Sequence, residues 1–129
     1  MPTETCLERG FGFACDIVRL YVRLLEMPRL PLFIARQVLK SGTSIGASLE
    51  EAKAAQTRRD SAAKFSTALK EARETAYWLK LMSTTGLAPA VLLASVLDDA
   101  NDMIAVLTVA RTKLNAPRPE GKVTTQTWG

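Results

Sequence analysis

The sequence predicts an all-α protein, an antiparallel up-down-up-down four-helix bundle, on three observations. Apolar residues recur at three and four along four successive stretches. Proline, glycine or a polar cluster punctuates each junction between them. No strand-type alternation runs for more than a few positions. Short turns leave sequential helices antiparallel, and 129 residues suffice for one domain with a real core.

Residues 1–10 read as a polar lead and residues 11–116 as the bundle. Helix one, about 11–27, carries Phe13, Ile17, Leu20, Tyr21, Leu24 and Leu25 on one stripe. Pro28 and Pro31 end it and admit the next helix, since proline is tolerated only in a first turn. Helix two, about 32–56, has the stripe Leu32, Ala35, Val38, Leu39, Gly42, Ile45, Gly46, Leu49 and Ala52. The cluster Thr57-Arg-Arg-Asp60 interrupts it, with Asp60 as expected N-cap of helix three, about 61–83. That helix presents Phe65, Ala68, Leu69, Ala72, Ala76, Leu79 and Met82. Gly86 suits the left-handed position after it, and Pro89 suits the first turn of helix four, about 89–115. Residues 117–129 lack a helical period and read as a Pro-containing tail.

Two glycines inside helix two need a reason, because each costs about 1 kcal/mol relative to alanine. Aligning helices two and three about their turn puts Gly42 level with Thr75, Gly46 with Glu71, and Leu49 with Ala68. Gly42, Gly46, Ala68 and Ala72 are therefore expected to let these two helices approach closely. The alternative, a phosphate cradle at Lys40-Ser-Gly-Thr-Ser44, lacks the preceding strand and the residue order of a P-loop. On the antiparallel partners Glu50 leans toward Arg73 and Lys70, which predicts an ion pair setting their register. Farther along, Ala76-Tyr-Trp-Leu-Lys-Leu-Met82 is apolar nearly all round, so Tyr77, Trp78 and Leu81 are expected at an interface with another copy.

Chemistry is poorly represented. With no histidine, the commonest general base and the usual nucleophile pairs are missing, and paired carboxylates cannot complete a di-iron motif. Cys6 and Cys15 have no metal or redox spacing. The reading is a non-enzyme without cofactor, metal or evident small-molecule substrate. The first residues have no signal-peptide core, and the longest apolar run, 87–97, is too short for a membrane span; a cytoplasmic protein is expected. Seventeen basic against thirteen acidic residues give a mild +4. Arg19, Arg23, Arg29, Arg36 and Lys40 face only Glu26 across the first hairpin, and Arg58 and Arg59 sit at the second turn. These seven are candidate nucleic-acid contacts, although no exposed aromatic is expected among them for single-strand stacking. A protein-binding scaffold using an apolar rim or the tail is the competing reading.

The runs 40–52, Ala55-Gln56, Asp60, 68–75 and Tyr77-Trp-Leu-Lys-Leu81 resemble the four-helix-bundle proteins of the 23S rRNA intervening-sequence family. Those bacterial proteins are encoded within insertions in 23S rRNA genes or elsewhere. The resemblance implies a ring-like homopentamer, related to the nucleic-acid-associated accessory protein of diversity-generating retroelements, and it brings no catalytic residues. Ser61 departs from the pattern, where an aromatic commonly follows the aspartate; Phe65 is expected to fill that space.

Overall fold

A computed structural model of the chain describes residues 5–117. Four helices make up the described residues: α1 (Cys6–Leu24), α2 (Leu32–Ala54), α3 (Arg58–Thr85) and α4 (Ala90–Asn115). Each packs on its chain neighbour and α4 closes back on α1, so the helices form one bundle around a single core. The expected tail lies outside the described residues except for Pro117.

Local chemistry sets the helix ends. The α1 helix starts at Cys6, inside the expected lead, because Thr5 and Glu8 form a reciprocal capping box. The cap of α3 is Thr57, whose Oγ1 accepts from Asp60 N–H at 3.0 Å; Asp60, the expected cap, lies instead in the first turn. Gly86 does take the left-handed conformation (φ 71°), and Leu87 N–H closes onto the Met82 carbonyl, so α3 stops there. Pro31 and Pro89 precede α2 and α4, fixing φ where no N–H is required.

The core runs the length of the bundle through Ile17, Ile45, Phe65, Leu69, Leu79, Leu93 and Leu107. Ser61 is buried beside Phe65 in sequence register, and its hydroxyl has no hydrogen-bond partner. An unmade buried hydrogen bond is a cost, so Ser61→Ala is expected to raise stability by about 1 kcal/mol in urea unfolding.

The glycines of α2 turn toward α1, not α3. A Cβ on Gly46 would lie 3.1 Å from the Gly10 carbonyl oxygen, and one on Gly42 would lie 2.6 Å from Ile17 Cγ1. The side of α2 that meets α3 is marked by Ser41, hydrogen-bonded to Thr75 Oγ1 at 2.8 Å, and by Glu51, paired with Lys64. Axial levels were therefore expected within about one residue, but level does not fix azimuth: one residue rotates a helix position by about 100°. Ala68 and Ala72 are fully buried in the core.

Candidate nucleic-acid and assembly surfaces

The small-hydroxyl run of α2 is internally satisfied. Ser41, Thr43 and Ser44 donate to the carbonyls of Gln37, Leu39 and Lys40 at 2.8, 2.7 and 2.6 Å. Serine and threonine commonly bond back in this way within helices. The hydroxyls are thus turned onto their own helix and offer a phosphate no cradle.

Glu50 does not tie α2 to α3. It is exposed, in neither ion pair of the described residues, and lines a shallow depression with Leu7, Phe11, Ala14, Thr43, Gly46 and Ala47 on the α1 side. The α2–α3 pair is made one residue on, Glu51 Oε2 to Lys64 Nζ at 2.6 Å, half exposed and hence worth little. Lys70 and Arg73, its expected partners, stand exposed on the outer side of α3.

The seven basic candidates do not form one patch. Arg19 pairs with Asp16 at 3.2 Å, and it lines the α1–α4 groove together with Arg23. Arg29 borders the depression where the α1–α2 and α3–α4 turns meet. Arg36 and Lys40 are exposed on α2, and Arg59 is exposed at the start of α3. Arg58 has a structural task. Its Nε donates to the Leu114 carbonyl at 2.9 Å and its terminal nitrogen to the Lys113 carbonyl at 2.5 Å, closing the C-terminus of α4.

Tyr77 and Trp78 stand edge to face, ring centres 5.2 Å apart, and Trp78 meets Phe33 of α2 at 6.1 Å. Trp78 is half-buried and donates from Nε1 to Glu74 at 3.4 Å, Leu81 is half-buried, and Tyr77 and Phe33 are mostly in water. A larger apolar surface lies on α1. Phe11, Val18, Val22 and Leu25 are 69, 46, 57 and 52 % exposed, and their spacing of seven, four and three puts them on one side of the helix. That spacing is visible in the sequence alongside the buried stripe of α1.

The α1–α4 seam is the thinnest of the four and holds a depression of about 280 Å³ lined by Arg9, Gly12, Phe13, Asp16, Asp99 and Met103. Burial pushes the Asp99 carboxyl above its ordinary range, and Asp16, Asp102 and Asp98 push it further, against Arg9. Burial likewise raises Glu71, with Glu74 adding to it, against Lys70 and Lys40. A carboxyl raised in the folded state binds its proton more tightly than in the unfolded chain, so its share of stability is lost as pH rises through the folded value. Asp99→Asn is therefore expected to raise the melting temperature at neutral pH and to flatten its pH dependence just above the usual carboxylate range. Thermal melts of both proteins across that range check it. Among the described residues, no group of three or more Cys, Asp or Glu is placed to hold a metal, and no helix is long and apolar enough to cross a membrane.

Residues 5–109 match the family described as 23S rRNA-intervening sequence protein. The fold is similar to the crystal structure of a protein with unknown function from the S23 ribosomal protein family of Bacteroides thetaiotaomicron. The two share 34 % identity at a TM-score of 0.77, over 87 % of this chain and all of that one. No curated protein matches the chain.

Proposed function

The chain belongs to the 23S rRNA-intervening sequence protein family, and from that membership we propose that it acts as a non-enzymatic, homo-oligomeric adaptor binding RNA or a ribonucleoprotein through basic surface. The observation that supports this is a division of the surface. One side of α1 is apolar over Phe11, Val18, Val22 and Leu25, while the exposed cations of α2 and α3, Arg36, Lys40, Lys53, Arg59, Lys70, Arg73 and Lys80, enter no ion pair among the described residues. A continuous apolar stripe on a small bundle marks a place for another surface. Cations without carboxylate partners suit phosphate.

The apolar side of α1 supports self-association better than Tyr77, Trp78 and Leu81 do. Tyr77 shares its stripe with Lys70, Arg73 and Lys80, and charge is depleted from interface cores. A closed ring of five is the assembly the sequence resemblance implies, and repetition around such a ring multiplies weak phosphate contacts into avidity. The double variant Val18→Glu, Val22→Glu puts two like charges into each α1 contact. It is expected to reduce the solution mass to that of one chain at unchanged helicity, read by sedimentation and circular dichroism. Because the RNA contacts become monovalent, its apparent RNA affinity should fall by roughly 100-fold or more. A parent protein that is already monomeric at micromolar concentration contradicts the assembly part.

A further inference from the structure

Resting on the RNA-binding reading, we infer that the outer stripe of α3, Lys70, Arg73, Tyr77 and Lys80, is a single-strand nucleic-acid surface on which an unpaired base stacks against Tyr77. The four residues follow at intervals of three, four and three, which confines them to a wedge of roughly 80° along about 15 Å of helix. All four are exposed, Tyr77 to 59 %, and none of the three cations enters an ion pair among the described residues.

Cations outnumber carboxylates on this face. Its neighbouring carboxylates, Glu71 beside Lys70 and Lys40, and Glu74 held by Trp78 Nε1–H, are half-buried. The same contact steadies the ring beneath Tyr77, since Trp78 is fixed between Glu74, Phe33 and Tyr77. Tyr77 is thus supported on its inner side while most of it stays in water.

A solvated face that merely keeps the protein soluble needs neither a surplus of cations nor a supported aromatic ring. A second copy of the chain docking by this same stripe would bring like charges together. A duplex offers phosphates but no free base face, whereas a single strand offers both, and aromatic stacking beside a basic track is how single strands are held. RNA and DNA share that chemistry.

The test uses the full-length protein and labelled 20-residue oligo(U), oligo(dT) and a duplex of equal length, with anisotropy read over a series of salt concentrations. Oligo(U) or oligo(dT) is expected to bind tighter than the duplex, and the two single strands show whether the 2′-hydroxyl matters. Tyr77→Ala should weaken single-strand binding roughly tenfold per engaged subunit, and Tyr77→Phe should keep it. Replacing Lys70, Arg73 and Lys80 by glutamine should make the salt slope shallower by roughly 2 per engaged subunit. Circular dichroism confirms that each variant is folded. Strand binding that survives these changes but is lost in Arg36→Gln, Lys40→Gln would overturn the stripe and leave the RNA-binding reading standing. Equal affinity for the duplex would overturn the stacking. No binding of any strand by the parent protein at low salt would overturn both.

Discussion

Replacing Gly46 with alanine is expected to destabilise the protein by about 1–3 kcal/mol, the usual cost of overpacking, although alanine is the better helix former by about 1 kcal/mol. The added Cβ would stand 3.1 Å from the oxygen and 3.3 Å from the carbon of the Gly10 carbonyl. Those are backbone atoms of another helix, so relief requires α1 and α2 to move apart, not a rotamer change. Gly10 answers reciprocally, since its own Cβ would meet Leu49 Cδ1 at 2.7 Å and Gly46 Cα at 3.3 Å. Gly12 is the control. A Cβ there meets nothing within 4 Å, so Gly12→Ala should add about 0.5–1 kcal/mol of stability. Urea unfolding of the three proteins compares them; a Gly46→Ala protein at least as stable as the parent would remove the close-packing explanation.

Arg58→Met is expected to cost about 1–3 kcal/mol, the value of hydrogen bonds from a charged donor. The methionine keeps most of the apolar stem while removing the fork that holds the Leu114 and Lys113 carbonyls. These belong to the last turn of α4, where only one backbone donor, the Ala116 N–H at the cap, reaches Lys113, at 3.3 Å, and the helix carries partial negative charge. Amide exchange should therefore accelerate first in the last turns of α4, ahead of global unfolding. Arg58→Lys should restore only part of the loss, because an ammonium on a shorter reach cannot hold two carbonyls in one plane. Uniform exchange across all four helices would show that Arg58 acts elsewhere.

The helices and their order were legible because apolar period, proline and glycine agree at each junction. Helix α1 was foreshortened because Thr5 and Glu8 lie in a stretch whose polarity suggested a lead, although Thr-x-x-Glu is itself a capping signal. That omission hid Gly10, and with it the true partner of Gly46. The α2–α3 register came out close, as the Ser41–Thr75 hydrogen bond records, but the azimuth of Gly42 and Gly46 did not. Azimuth depends on both neighbours of a helix, and counting along one turn considers only one. Glu50 failed as a register lock for the same reason: it points along the α1 flank, and Glu51 meets Lys64. Arg58 looked like any surface cation, because its carbonyl partners lie more than fifty residues away in α4. The basic and aromatic stripe of α3 was present in the spacing of residues 70, 73, 77 and 80. It was divided between an expected ion pair and an expected interface, and only joint exposure reunites it.

Sedimentation of the full-length protein with labelled single-stranded RNA, at low and then high salt, tests assembly and binding together. An adaptor of the kind proposed sediments as a multiple of one chain, carries the RNA with it at low salt, and releases the RNA without dissociating when salt is raised. A particle of single-chain mass that leaves the RNA behind at low salt would contradict it.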